Sequence, residues 1–489
     1  MGLIRFLNPG RPKLEASVAK RSYIVGMDEI PWQCRIVPTD DGLIIDRPTG
    51  ESCSLRIPWQ VEGHGELALA TGSLLERQKP YLLEVELARG TLNRVRNQLA
   101  TWEAAGMRCP PALAERLAEA TCKFAQAATQ QQEPATACAA AREALLLGVQ
   151  LTVGVTQAYA QQALAVRHRG GAKMTTLFGA NLGTTTFDED AARHYLTSFN
   201  AALAPMRWTD IEVAEGEYDW KHTDRQMEWC QTHKLKVLSG PLLSFDRWSV
   251  PDWSYLFEGE AETISGLMEG YVKACVERYA GRVQVWQCAA RMNVGECLSL
   301  PDETKFSLAL RAMQLVRAAD PRTPIVVSFD MPWGEYVRND QDLPMHLADA
   351  LVRANLGLSG IGIELNMAYS PGGSLHRDPL EINRQIDRWA LLGLPLLLLI
   401  TVPSDEADDD AARRSSPPAG GGWNSQAQQT WVRQVVPMLL AKQAVQGVFW
   451  RQFRDDEPHD FPHGGLLDAH GRPKPALKDL AALRAKHLN

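Results

Sequence analysis

The stretch "RVQVWQCAARMNVGE", residues 282–296, decides how the chain is read. Val283, Val285 and Trp286 are apolar and strand-prone, and a Cys-Ala-Ala run continues to Ala290. Arg291 then arrives where the chain should be leaving a core. The segment reads as a short buried strand, flanked by helical periodicity at 262–280 and 303–319.

The same alternation extends in both directions. Strands are expected at 174–182, 201–208, 235–243, 283–290, 324–331, 358–366, 394–402 and 446–453. Helices are expected near 188–199, 222–233, 262–280, 303–319, 343–355, 379–392, 425–443 and 474–487. Eight βα units in roughly 317 residues is the arithmetic of an α/β fold of the (β/α)8 TIM-barrel kind. A doubly wound open sheet is the competitor, but no G-x-G-x-x-G follows the first strand. In a barrel, function is built where strands end, so the residues to examine run from Ala204 to Arg207, Pro241 to Trp248, Ala290 to Glu296, Asp330 to Trp333, Glu364 to Asn366, Val402 to Glu406 and Arg451 to Asp456.

Before the barrel, residues 1–92 form a β-rich module with Asp-Gly and Pro-Thr-Gly turns, either carbohydrate-binding-like or a packing domain. Residues 93–172 turn to Ala, Gln, Glu, Leu and Arg at helical spacing, broken by Pro110-Pro111 and Pro134. They read as a helical hairpin or linker, with "HRGGAK" (168–173) as a hinge into the barrel at 173–489.

Composition limits the function classes. A net charge of −7 argues against non-specific nucleic-acid binding and against a basic membrane-surface patch. No run approaches the ~18 consecutive apolar residues of a membrane span. Nine cysteines scattered singly read as reduced thiols, not as a disulfide framework or zinc site. The N-terminal apolar runs are too short for a secretory h-region, so a cytoplasmic location is expected. No cofactor motif is found and no metal site is expected.

Several segments resemble glycoside hydrolase family 10, the retaining xylanases. They are "MRWTDIEVAEGEYDWKHTDRQMEWCQTHKLKV" (206–237), "ERYAGRVQVW" (277–286), "GIGIELN" (360–366), "GVFWRQF" (447–453) and "GLLDAHGRPKPAL" (465–477). The resemblance covers about 200–489 and implies a barrel that cleaves β-1,4-xylan with two glutamates about 5–5.5 Å apart. Carried over residue by residue, the acid/base position falls on Arg291, after Ala290, and the nucleophile position on Val402 in "TVPS". A protonated guanidinium cannot cycle a proton, and a valine offers no nucleophilic oxygen. Leu203-Ala204, Pro241, Phe245, Glu364 and Asn366 depart from the family pattern too, while Arg207 keeps a cation where the family has lysine.

The leading reading is therefore a xylanase-related pseudoenzyme binding a β-glycan or oligosaccharide. Arg207, Phe245, Trp248, Arg291, Trp333, Glu364, Asn366, Trp423 and Arg451 are the ligand-binding candidates, with Trp248, Trp333 and Trp423 expected exposed at the mouth. An active glycosidase with relocated carboxylates would draw on Glu364, Glu296, Asp330 or Asp405. A scaffold would use the N-terminal region for homo-oligomerisation. The loop "PSDEADDDAARRSSPPAGGGWNSQ" (403–426) reads as a lid, a partner-binding loop or a solvated insertion. Its acidic run lacks EF-hand spacing. "DDEPHDFPHGG" (455–465) reads as a turn-rich loop, since its prolines break any helix that would align His459 with His463.

Overall fold

A computed structural model describes residues 2–168, 171, 173–337, 343–414 and 416–489. Eight parallel strands close into a barrel: β1 (Leu177–Asn181), β2 (Ala201–Ala204), β3 (Lys236–Ser239), β4 (Val285–Ala290), β5 (Ile325–Phe329), β6 (Leu358–Asn366), β7 (Leu396–Thr401) and β8 (Val445–Trp450). Closure runs through β8 on β1 (Gly447 opposite Leu177) and β3 on β4 (Leu238 opposite Val285). A helix follows each strand: α1 (Glu189–Ser198), α2 (Lys221–Thr232), α3 (Ala261–Tyr279), α4 (Asp302–Ala319), α5 (Pro344–Arg353), α6 (Pro379–Ala390), α7 (Ser425–Ala441) and α8 (Pro475–His487). All eight expected βα units are present.

Local chemistry sets the helix starts. Asp188 and Asp378 accept the Ala191 and Glu381 N–H at 2.7 and 3.0 Å, and Asn424 caps α7 in the same way. Proline opens α5, α6 and α8, where its missing N–H costs nothing.

Alternation along each strand then sorts the side chains. Ala201, Leu203, Leu238, Val285, Val326, Leu397, Leu399 and Phe449 fill the inside of the barrel. A larger apolar layer packs between strands and helices. Two residues on from the inner layer, the same inward positions carry Gln287, Ser328, Thr401 and Arg451, so the barrel interior changes from oil to polar groups at its C-terminal end. Gly362 is needed for this closeness: a Cβ there would sit 2.5 Å from the Ser328 Cβ.

The N-terminal module holds two four-stranded sheets. Three helices follow (Leu83–Ala104, Pro111–Thr129, Pro134–Arg167), where composition suggested a hairpin or linker. The first crosses the expected 92/93 boundary, because the β-rich texture of "YLLEVELARG" (81–90) is overridden by apolar spacing that suits a helix. Pro111 and Pro134 do start helices. Residues 169, 170 and 172 of the expected hinge lie outside the described residues.

The helix Pro134–Arg167 is long and apolar enough to cross a membrane, with a mean hydropathy of 1.4 over its best window. It packs instead against the two preceding helices and against α6 and α7, and Arg167 donates to the Leu440 carbonyl at 2.6 Å.

The module is fastened to the barrel by ions. Arg94 donates to Glu381 and Asp378 at 2.9 and 3.1 Å; Arg377, paired with Glu335 within the barrel at 2.7 Å, donates to the Tyr23 hydroxyl; and Arg56, paired with Glu29 within the module, lies 3.9 Å from Glu381. Arg384 bridges Glu381 and Glu29 at 3.2 and 3.4 Å. The backbone adds Ala68 N–H to the His376 carbonyl at 2.7 Å. This seam places the module beside the strand C-termini.

Candidate functional site

Arg291 follows β4 directly with φ at +59°, a left-handed conformation uncommon for a residue with a side chain. Its N–H donates to the Ser328 carbonyl (3.2 Å), and its own carbonyl accepts from Val294 and Gly295 (3.2 and 2.7 Å). That turn aims the guanidinium back across the barrel mouth, where it is 2% exposed. It donates to Glu364 (3.0 Å), Asp246 (3.2 Å) and Asp460 (2.8 Å), with Asp330 at 3.7 Å. Arg451, after β8, pairs with Glu364 and with Asp460 at 2.8 Å. Asn366 donates to Asp330 (2.9 Å) and Glu364 (3.3 Å) and accepts from Thr401 (2.9 Å).

Two arginines thus face four carboxyl groups, with Arg291, Glu364 and Asp330 almost fully buried, and this splits the acids. Burial would lower the Arg291 pKa, but the surrounding carboxylates raise it well above its ordinary value. Burial would raise Glu364, yet Arg291 and Arg451 outweigh it and hold the carboxyl below its usual range. Asp460 is lowered by the same two cations against the same penalty. Asp330 goes the other way: burial, then the neighbouring Glu364 charge, push it up to about 6. Its Oδ2 is buried with no hydrogen-bond partner among the described residues.

Around this plug lie two unequal spaces. A cavity of about 100 Å³ is lined by Arg207, Asp246, Arg291, Glu364, Arg413 and Arg451, among others. It is far below the about 300–1,000 Å³ of pockets that enclose a small-molecule ligand. Beside it opens a groove of about 1880 Å³, bounded by the loops after β2 to β7 and by Ser17, Lys20 and Arg21 of the N-terminal module. The module therefore forms one wall of the groove.

The candidate residues sort accordingly. Arg291, Glu364 and Asn366 are brought together and buried, and Arg451 joins them. Arg207 lines the small cavity and pairs with Asp210 at 2.7 Å. Trp248 is 40% exposed on the groove wall. Trp333 and Trp423, expected at the surface, are buried. Arg377 stacks over the Trp333 ring at 4.0 Å, and Trp423 lies against His376 with its indole N–H on the Ala419 carbonyl (3.1 Å). Arg377 and His376 belong to the loop after β6, which meets the module at Tyr23 and Ala68. Phe245 is fully buried core and cannot reach a ligand. Val402 follows the inward Thr401, so it points to the strand–helix layer and is buried there. Glu296 is exposed in the groove; Asp405 is exposed and accepts the Glu406 and Ala407 N–H groups. Neither belongs to the Arg291 network.

The loop after β7, within its described residues, is laced down rather than loosely solvated. Asp409 accepts from the His459 ring (3.0 Å) and the His463 N–H (2.9 Å). Arg413 and Arg414 N–H groups bond the His459 and Asp460 carbonyls, and Glu406 accepts from the Trp423 N–H. Burial would raise the Asp409 carboxyl, but these contacts hold it below its usual range. The two histidines of "DDEPHDFPHGG" are tethers for that loop. Sequence reasoning passed over Asp246 and Arg413–Arg414. The only signal was their place after β3 and β7, since neither motif has a recognisable spacing.

With this geometry in view, comparison with known proteins is informative. The model of Glycosyl hydrolase family 10 matches residues 169–304, a stretch spanning β1 to β4 and ending at the start of α4. Xylanase 10B from Thermotoga petrophila RKU-1, solved with xylobiose, superposes with a TM-score of 0.50 at 16% identity, over 66% of this chain and 97% of that one. Native xylanase 10B from Thermotoga maritima gives 0.49 at 15% (63% and 96% covered). The xylanase from Thermobacillus composti gives 0.45 at 20% (63% and 96%). At such identities the likeness is one of fold, carried by the first of the three. Downstream of the N-terminal module and its helices, the chain carries a glycoside hydrolase family 10-like, xylanase-related (β/α)8 barrel.

Proposed function

We propose that this protein binds a glycan in the groove at the barrel mouth without cleaving it, as a pseudoenzyme. The observation that carries the reading is Arg291, buried at the end of β4 and bonded to carboxylates that could otherwise act on a sugar. Retaining and inverting hydrolysis both need two carboxyls flanking the scissile bond, about 5–9.5 Å apart. Here the carboxyls turn inward onto two guanidiniums, and the cavity among them is too small for a sugar ring. A carboxylate locked against arginine stays ionised and cannot serve as an acid. The groove beside it remains large, with Trp248 offering an apolar ring face of the kind that stacks on pyranoses.

One observation favours an active glycosidase instead: Asp330 and Glu364 share a network with their pKa values driven apart, as in acid–nucleophile pairs. Both are almost fully buried behind Arg291, which weighs against substrate reaching them. A scaffold role lacks a comparable support, since the exposed large apolar residues (Met27, Leu75, Leu256, Leu391 and others) are dispersed over separate elements.

The deciding experiment is a panel of xylans, β-glucans and mannans, read for both retained protein and released reducing ends. An Arg291→Ala/Glu364→Gln double variant runs beside the wild type. Retention without release is expected. Release by the wild type that vanishes in the variant would overturn the reading in favour of a rebuilt active site.

A further inference from the structure

The groove's free cations indicate which saccharides it takes. Arg413 and Arg414, adjacent on the loop after β7, both line the groove, and Arg413 also lines the small cavity beneath. Neither guanidinium has an ion-pair or hydrogen-bond partner among the described residues. Arg414 rests over the Phe461 ring at 5.1 Å, and its Nε is buried without an acceptor. Each guanidinium carries five donors in a planar fork, and leaving such donors unsatisfied in a partly buried place is costly. Burial depresses both; Arg207 adds to it for Arg413 and Arg291 for Arg414, and the carboxylates of Asp460 and Asp246 offset it only in part. Across the groove, Arg247 lies over the exposed Trp248 ring at 5.7 Å, again with no carboxylate partner among the described residues.

The groove's carboxylates are mostly engaged elsewhere. Asp210 holds Arg207, Asp302 holds Lys305, Glu335 holds Arg377, and Glu258 accepts from Ser299. Asp252 and Glu296 are the acids left over, and they belong to the loops after β3 and β4, not to the loop carrying the arginine pair.

We infer that the groove selects acidic saccharides, with a sugar carboxylate or sulfate held by Arg413 and Arg414 and a neighbouring ring on Trp248. Two adjacent forks suit a planar carboxylate best, because guanidinium and carboxylate pair bidentately. This rests on the glycan-binding reading and narrows it to a ligand class.

The test measures affinity of the full chain, by calorimetry at 50 and 300 mM salt, for three probes: neutral xylohexaose, a hexagalacturonate and a sulfated heparin hexasaccharide. The variants are Arg413→Ala/Arg414→Ala and the charge-keeping Arg413→Lys/Arg414→Lys. The wild type should bind an acidic probe at least ten-fold tighter than the neutral one, with the gap shrinking in high salt. The alanine pair should close the gap, while the lysine pair restores part of it. Hexagalacturonate ahead of heparin identifies carboxylate as the ligand group, and the reverse identifies sulfate. Equal wild-type affinity for neutral and acidic probes overturns the inference alone, as does an alanine pair that keeps the gap. Absence of binding by all three probes overturns the glycan reading itself.

Discussion

Two buried arginine–carboxylate networks stand close together in this molecule, and they are built differently. At the seam between module and barrel, Arg56, Arg94, Arg377 and Arg384 meet Glu29, Glu335, Asp378 and Glu381, four against four. At the mouth, Arg291 and Arg451 meet Asp246, Asp330, Glu364 and Asp460, two against four. In the balanced network burial would raise Glu381, but Arg56, Arg384 and Arg94 drive it far down. The acid-rich one leaves Asp330 to take up a proton near neutrality. Matched charges are what a permanent joint needs. The surplus of acids lies instead at the barrel mouth.

The comparison can be broken most sharply at Arg291. Arg291→Ala leaves buried carboxylates uncompensated, and removing one partner of a buried pair costs about 3–5 kcal/mol. Urea unfolding should find that loss. A cost under about 1 kcal/mol would mean the mouth network is solvated and no plug. Arg94→Ala should cost less, about 2–3 kcal/mol, because Arg56 and Arg384 still face Glu381. If the seam variant is the more damaging, the ranking of the two networks is wrong.

The pH dependence separates them by sign. Asp330 titrates near 6 when folded and near 4 when unfolded, so its contribution is fully present below about pH 4 and is lost as pH rises through about 6. Asp330→Asn should therefore gain on the wild type across that window, by about 1–3 kcal/mol at pH 8. Glu381, held low, contributes above about pH 4 and loses its contribution as pH falls further, so Glu381→Gln should converge on the wild type in acid. Thermal melts from pH 3 to 8 on both variants give the two slopes, and like-signed slopes would refute the contrast. The smallest stability effect is expected for Trp248→Ala, within about 0.5 kcal/mol, because the ring is exposed. Oligosaccharide binding should nevertheless fall at least several-fold, and unchanged binding would move the ligand off that wall.

The barrel was legible because its helices repeat apolar residues at helical spacing and its strands are short apolar runs between them, such as "LLLLIT" in β7. The place of Arg291 at the end of β4 was legible because a strand-end position has a fixed place in a barrel. The helix beginning at Leu83 was misplaced because a run of Val and Leu suits either element. Trp333 and Trp423 were misplaced for another reason: the side chains that meet them, Arg377 and His376, come from the loop after β6, distant from both in sequence.

By itself, then, the sequence determined the architecture and the identity of the residues at each strand end, since both follow from local periodicity and chain order. Tertiary structure decided their partners. Arg291 meets Asp246, Glu364 and Asp460 only because closing eight strands into a ring brings three distant loops to one axis. The charge balance at that axis is a sum over elements that no local stretch contains, and it decides that Glu364 is held low while Asp330 is pushed up.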